Sequence, residues 1–178
     1  MEMVLMVDFS GVKKLTKKKI DECLRIAEED RRYLATAVAL KYYPLAVARS
    51  EGSYVWDLDG NRYIDFLTSA AVFNIGHTHS RVASAIKEQV SKYFNYTIAY
   101  LYAEPPVELA KLLIKVTPGT FPKKVSFGFS GSDSVDSAMK VARAYTKRPY
   151  IISYYDSYHG MTYGSLSATG IVKDEVKS

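Results

Sequence analysis

Apolar and polar residues follow two different periods along this chain, and each period predicts a different kind of element. Apolar residues three or four positions apart, the period of an amphipathic helix, recur in three stretches: residues 16–34, 81–93 and 106–116. Residues 45–66 instead alternate on both sides of Asp59-Gly60-Asn61, which predicts a β-meander with a tight hairpin turn. We therefore expect an N-terminal helix and a meander, followed by two further helices.

A third pattern lies between residues 124 and 160, where two short apolar runs enclose a helical stretch. The runs at residues 125–129 and 150–155 are rich in β-branched and aromatic residues, as buried parallel strands are. The apolar stripe of the helix between them is formed by Val135, Ala138, Met139, Ala142 and Tyr145. A strand, a helix and a parallel strand form a right-handed crossover, so the loops after both strands meet at one sheet edge. This predicts an α/β fold with a parallel-rich sheet flanked by helices.

The first of these loops, Ser130-Gly131-Ser132, stands where the helix is expected to begin. Gly131 interrupts the apolar run with a residue that is free to adopt a positive φ, and Ser130 and Asp133 have the spacing of a capping box. The first turn of a helix has unpaired N–H donors and a partial positive charge, which together stabilise a phosphate. Gly131 and Ser132 are therefore candidate phosphate ligands. A plain helix cap is the alternative that the turn alone leaves open.

The second loop carries Tyr158, His159 and Gly160. The ring of Tyr158 is suited to stacking on a flat cofactor, and His159 would contact that cofactor or orient the loop. An ordinary packed loop is the alternative that the spacing alone leaves open.

Together these segments resemble the class III pyridoxal-phosphate aminotransferases, the family of the 4-aminobutyrate and acetylornithine aminotransferases. The resemblance covers about residues 43–170 and is carried by four motifs in family order: the segment 51–66 (EGSYVWDLDGNRYIDF), Gly76-His77-Thr78-His79, the helix start 130–140 (SGSDSVDSAMK) and Tyr158-His159-Gly160.

The resemblance implies the N-terminal part of a fold-type I transferase that uses pyridoxal 5'-phosphate (PLP). By that resemblance Gly131 and Ser132 bind the cofactor phosphate, Tyr158 stacks on its pyridine ring and His159 lies beside the ring. The implied reaction moves an amino group from an amine or amino acid to a 2-oxo acid. Residues 1–75 would form a helical arm and meander of the small domain, and residues 76–178 the first portion of the large PLP-binding domain. A homodimer is the implied assembly.

Two departures from the family pattern concern the substrate, and one concerns catalysis. Met161 stands where several members carry an arginine for a substrate carboxylate, and Ser69-Ala70 replaces the usual Gly-Ile pair. None of the four lysines Lys140, Lys147, Lys173 and Lys177 matches the family's cofactor lysine. We therefore expect an incomplete domain that contains no catalytic residue and is inactive by itself.

Other functions stay open at this point. A racemase, decarboxylase or aminomutase would use the same fold, because a fold does not determine a reaction. A non-catalytic remnant or a basic binding module is a third possibility, since the net charge is +5 and lysines crowd the N-terminal segment. Acidic residues interleave with these lysines, which favours a solvated helix, and we expect no nucleic-acid partner.

The remaining features predict a protein of the cytoplasm. The single cysteine, Cys23, cannot form an internal disulfide and is expected to pack in a core. The apolar run within residues 1–7 is too short to span a membrane and lacks the basic start of a secretory signal. His77 and His79 lack the further ligands that a metal site would need, so we expect no metal.

Overall fold

The computed structural model describes residues 16–35, 41 and 43–171. The chain divides into two compact units, Met1–Asn95 and Tyr96–Ser178. The elements in chain order are α1 (Asp21–Tyr33), β1 (Val47–Glu51), β2 (Tyr54–Asp57), β3 (Arg62–Ile64), α2 (Ser80–Lys92), α3 (Glu104–Val116), α4 (Gly131–Thr146) and α5 (Tyr163–Ala168). The predicted domain boundary near Gly76 stays a prediction.

Helix α1 begins later than predicted, because its N-terminal cap comes from the meander. No side chain of the helix itself caps it; instead, the Asp59 carboxylate accepts the N–H groups of Glu22 at 3.1 Å and Cys23 at 2.9 Å. The thiol of Cys23 lies in the core, with 1% of the residue exposed, as predicted. On the solvent side Arg25 pairs with Glu22 and Glu29, so the interleaved charges do form a solvated helix face.

The three strands form an antiparallel sheet in the order β1-β2-β3, which confirms the predicted meander. The hairpin between β2 and β3 closes through Gly60, whose φ is +84° and whose N–H bonds the Asp57 carbonyl at 3.1 Å. Val55 and Asp57 point to the buried face of β2 and are 8% and 2% exposed. Burial of a charged side chain there requires hydrogen bonds, which are described with the site below.

A left-handed turn, Thr68–Ala71, follows the sheet and was not predicted. All four of its residues have φ between +47° and +65°, a region that L-residues rarely adopt. The Asp65 carboxylate holds the start of the turn by accepting the N–H groups of Leu67 at 2.8 Å and Thr68 at 3.0 Å. Pattern reasoning cannot find such a turn, since no glycine marks it.

The C-terminal unit contains α3, α4 and α5, and here one prediction is wrong. Residues 125–129 and 150–155 were expected to be parallel strands, but neither segment is a strand in the structure. A strand exists only when another strand pairs with its backbone groups, and no such partner lies beside either segment among the described residues. The helix between them is longer than its apolar stripe, and α5 packs on it where Gly164 adjoins Asp136 and Met139.

Candidate functional site

The N-terminus of α4 has the predicted capping box. Ser130 is extended, and its Oγ accepts the N–H of Asp133 at 3.2 Å. In return the Asp133 carboxylate accepts the N–H of Phe129 at 3.0 Å, one residue earlier than in the usual motif. The reciprocal bonds fix the direction in which the chain enters this 16-residue helix.

Gly131 is the first residue of α4. Its φ is not positive, so the turn does not use the conformational freedom that glycine offers at this position. A Cβ atom built at Gly131 would meet no atom within 4 Å apart from its chain neighbours and its own helix, so the space beside Gly131 at the start of the helix is open. Among the described residues no partner bonds the N–H groups of Gly131 and Ser132. Two donors and the positive end of the helix dipole therefore face this space.

The two predicted loops come together at Ser132. Its Oγ accepts the backbone N–H of Met161 at 3.1 Å, which joins the start of α4 to the loop that carries Tyr158 and His159. Gly160 makes this contact possible: it is buried with φ +134°, and a Cβ there would lie 2.7 Å from the Ser132 Cβ. The structure thus joins the start of α4, where the phosphate candidates lie, to the loop that carries the ring candidates.

The two ring candidates differ in their contacts. The side chain of Tyr158 is accessible, with 59% of the residue exposed, as a stacking platform must be. The hydrogen bond of His159 runs through its backbone, whose N–H donates to Thr169 Oγ1 at 3.1 Å. This bond involves no atom of the imidazole, so both roles predicted for the His159 side chain stay predictions.

Sequence reasoning missed the hydroxyl cluster behind this loop. Ser165 and Thr169 are fully buried, and Ser165 Oγ lies 2.8 Å from Thr162 Oγ1. The density of serine and threonine in residues 162–169 was the available signal, because small hydroxyl side chains often bond nearby backbone.

A second polar cluster lies in the N-terminal unit and has a structural explanation. The ligand-type atoms of Cys23, Asp57 and Asp59 lie within 4.8 Å of one another. Asp59 caps α1, and Asp57 accepts bonds from the Asn61 backbone N–H at 2.7 Å, Asn61 Nδ2 at 2.9 Å and the Tyr63 hydroxyl at 2.8 Å. These donors occupy the carboxylate oxygens, so the cluster stabilises the junction of α1 with the hairpin.

The pKa values in this cluster follow from the same contacts. Burial by itself raises the pKa of Asp57, but the hydrogen bonds from Asn61 and Tyr63 outweigh it and lower that pKa below 3.8. Burial and the bond to Asp57 raise the pKa of the Tyr63 hydroxyl well above its ordinary value. Burial likewise raises the pKa of the Cys23 thiol, which keeps it protonated.

His77 has a partner that also accounts for its role without a metal. Its Nε2 lies 2.6 Å from the Asp65 carboxylate, and its ring packs against Phe73 at 4.6 Å between centroids. The hydrogen bond from His77 lowers the pKa of Asp65. The pair therefore supports the Asp65 carboxylate that holds the left-handed turn.

No helix among residues 16–35, 41 and 43–171 is both long enough and apolar enough to cross a lipid bilayer.

Relatives of this chain include both racemases and aminotransferases. It is 47% identical over 152 residues to the isoleucine 2-epimerase of Lentilactobacillus buchneri, covering 85% of this chain and 34% of that protein. It is 42% identical to the leucine/methionine racemase of Thermococcus litoralis, covering 82% of this chain and 33% of the racemase. A 5-aminovalerate aminotransferase of Pseudomonas aeruginosa is 43% identical over 73% of this chain and 30% of its own length. The chain therefore spans about a third of the relatives that it matches.

The fold agrees with these relatives. The taurine:2-oxoglutarate aminotransferase from Bifidobacterium kashiwanohense, solved in complex with PLP and glutamate, superposes with a TM-score of 0.74 at 35% identity, over 83% of this chain and 33% of that chain. The chain is thus an incomplete α/β piece of the fold-type I architecture. The family model described as "Aminotransferase class-III" matches residues 35–178, and this chain belongs to that family.

Proposed function

We propose that this chain forms the phosphate- and ring-binding part of a PLP site, with Gly131 and Ser132 at the phosphate and Tyr158 and His159 at the ring. The hydrogen bond from Met161 to Ser132 carries this proposal, because it places the two loops side by side. PLP is the cofactor of the class-III aminotransferase family. When bound, it supplies an aldehyde and an electron-withdrawing ring that activates the carbon bearing the amino group of a substrate.

The residues present fit the phosphate of this cofactor. The open space in front of Gly131 leaves room for it, and the N–H groups of Gly131 and Ser132 can donate to its oxygens. Ser132 Oγ accepts from Met161 and so keeps its own hydrogen available for a phosphate oxygen. A helix N-terminus favours a dianion without a cationic side chain.

The ring of PLP would find a partner in Tyr158. Its side chain is exposed, while the backbone of the next residue is bonded to Thr169. A phenol ring that is accessible but held by an anchored backbone can stack on a flat ring at little entropic cost. His159 would orient this loop.

Substitution of Tyr158 and Gly131 tests the cofactor site. In the full-length gene product we expect Tyr158→Ala to weaken PLP affinity roughly tenfold, through lost stacking. Gly131→Val, which fills the space in front of α4, should weaken it about a hundredfold by excluding the phosphate. PLP titration followed by absorbance measures both effects. Tyr145→Ala, which removes a tyrosine that is 89% exposed on α4, is the matched control and should bind like the wild type. Wild-type affinity in both site variants would disprove the site.

Two reactions fit a PLP site of this family. Amino transfer from an amine or amino acid to a 2-oxo acid is the reaction for which the family is described. Racemisation of a neutral amino acid is favoured by Met161 and by the relatives that are 47% and 42% identical, which are an epimerase and a racemase. Met161 is anchored beside Ser132 but offers a thioether, which cannot bind a second carboxylate as an arginine fork does. We propose racemisation as the better supported of the two.

An assay without an acceptor separates the two reactions. For the full-length gene product we expect L-leucine to lose its optical activity, and L-isoleucine to be converted into its 2-epimer, when no 2-oxo acid is present. Product that forms only with 2-oxoglutarate or pyruvate would instead establish amino transfer. Met161→Arg should raise kcat/KM for glutamate at least tenfold by adding a carboxylate ligand, whereas the control Met161→Leu should leave substrate preference unchanged.

Three further predictions belong with this proposal. The substrates would be a small-molecule amine or amino acid as amino donor and, for amino transfer, a 2-oxo acid acceptor. We propose a homodimer of the cytoplasm, whose assembly state sedimentation would measure. This chain by itself would be inactive, since none of its lysines matches the family's cofactor lysine.

A further inference from the structure

Two hydroxyl side chains are fully buried behind the loop that carries Tyr158. Ser165 and Thr169 each have 0% of their surface exposed, although serine and threonine are usually exposed. A buried hydroxyl is stable only where it is hydrogen-bonded. The bonds of Thr169 lead directly to the predicted ring-binding loop.

Thr169 Oγ1 bonds two consecutive residues of this loop. It accepts the backbone N–H of His159 at 3.1 Å, and its own hydrogen can reach the Gly160 carbonyl oxygen at 2.9 Å or the Ser165 carbonyl oxygen of its own helix at 3.2 Å, of which the Gly160 contact is the shorter. Thr169 is itself held at the end of α5, where its N–H bonds the Leu166 carbonyl at 3.1 Å. The Thr169 hydroxyl thus bonds one backbone N–H and one backbone carbonyl of the loop, groups that other backbone groups would bond in a strand or helix.

The residue on the other side of Tyr158 is anchored as well. The Ser157 carbonyl accepts the N–H of Gly170 at 2.8 Å, and its hydroxyl donates to the Tyr154 carbonyl at 2.6 Å. The backbone is therefore bonded on both sides of Tyr158, while the ring between these bonds is exposed. An exposed side chain on an anchored backbone is preorganised for a ligand.

We propose that Thr169 is a positioning residue for the cofactor, acting through its hydrogen bonds to His159 and Gly160. Its hydroxyl keeps the Tyr158 loop in the conformation that brings Met161 onto Ser132 at the start of α4. This inference rests on the proposed function, because it requires Tyr158 and Ser132 to bind PLP.

Thr169→Val and Thr169→Ser in the full-length gene product separate the hydroxyl from the volume of the side chain. Valine has the shape of threonine without the hydroxyl, so the His159 N–H and the Gly160 carbonyl would lose their partner. We expect PLP affinity to fall on the order of tenfold in Thr169→Val and to stay within about twofold in Thr169→Ser. The circular dichroism induced in the bound cofactor should also weaken in Thr169→Val, since it reports the orientation of the ring. A purely structural role would lower stability without changing the signal per bound cofactor.

Several outcomes would overturn the inference. Wild-type affinity and dichroism in Thr169→Val would do so, as would a serine variant that is as impaired as the valine variant. If Thr169→Val does not fold, hydrogen exchange of the wild type decides: the His159 amide should be protected, and fast exchange there would refute the bond. Tyr158→Ala separates the two levels of the proposal. If Tyr158→Ala and Gly131→Val both bind PLP normally, the proposed function fails; if both bind weakly while Thr169→Val binds normally, only the role of Thr169 fails.

Discussion

Gly160→Ala should separate the Tyr158 loop from the start of α4 and abolish tight binding of PLP. A Cβ at Gly160 would lie 2.7 Å from the Ser132 Cβ and would also overlap the hydroxyl oxygens of Ser132 and Ser165. The φ of +134° adds backbone strain for any residue with a side chain. We expect affinity for PLP to fall at least about a hundredfold, since steric overlap and strain together exceed about 2.7 kcal/mol.

Titration of the full-length gene product with PLP measures this effect, and urea unfolding without the cofactor measures its structural part. Gly131→Ala is the matched control for folding. No atom lies within 4 Å of its Cβ position, so stability without cofactor should be unchanged or slightly higher, as expected for alanine in a helix. A Gly160→Ala protein with wild-type stability and PLP affinity would show that the loop does not depend on close contact with Ser132.

Asp57→Ala should destabilise the N-terminal unit by about 3 kcal/mol, because it leaves buried donors without an acceptor. Asp57 is 2% exposed and accepts two bonds from Asn61 and one from the Tyr63 hydroxyl. Loss of the carboxylate removes these bonds and opens a small cavity at the base of the hairpin. Urea unfolding measures the effect and can be followed by the fluorescence of Trp56. This residue directly precedes Asp57 and is the single tryptophan of the chain.

The Asp57 carboxylate also predicts that the stability of the fold depends on pH in the acidic range. Because the pKa of Asp57 is lower in the folded state than in the unfolded state, its contribution to stability is complete above about pH 4. That contribution disappears as the pH falls through the lower, folded-state value. Asp57→Ala should therefore unfold with a flatter pH dependence below pH 4 than the wild type.

Glu51→Ala is the control on the same sheet. Its side chain is 74% exposed, and it lies 3.6 Å from Arg49 in an ion pair at the surface. Pairs of this kind contribute less than about 1 kcal/mol. Equal destabilisation by Asp57→Ala and Glu51→Ala would contradict the role assigned to the buried carboxylate.

Local chemistry was enough to predict helices α1 to α4, the hairpin and the cap at the start of α4. The Asp59-Gly60-Asn61 turn and the capping box from Ser130 to Asp133 depend on residues that are neighbours in the chain. Helical periodicity likewise reports one face of one element, so α2 and α3 were found to within two residues at either end. The motifs at Gly131 and Tyr158 also indicated the family before any geometry was known.

Contacts between distant residues were beyond this reasoning. The Asp59 carboxylate caps α1 by bonding Cys23, which lies 36 residues earlier in the chain. The bond from Met161 to Ser132 joins residues that are 29 positions apart. The spacing of apolar residues along the chain does not show which side-chain oxygen will accept which backbone N–H across such distances. The role proposed for Thr169 also depends on contacts between distant residues, since its buried hydroxyl bonds His159 and Gly160, which lie 10 and 9 residues earlier in the chain.

By itself, the sequence determined the family, helices α1 to α4 and the hairpin, and it supplied the candidates for binding a phosphate and a ring. Only the tertiary structure decided that the space beside Gly131 is open, and that Gly160 lies too close to Ser132 for a side chain. It also decided that residues 125–129 and 150–155 are not strands within this chain. The physical reason is common to all three. A helix or a tight turn forms its backbone hydrogen bonds within one segment, whereas open space, close approach and strand pairing depend on where a second segment lies.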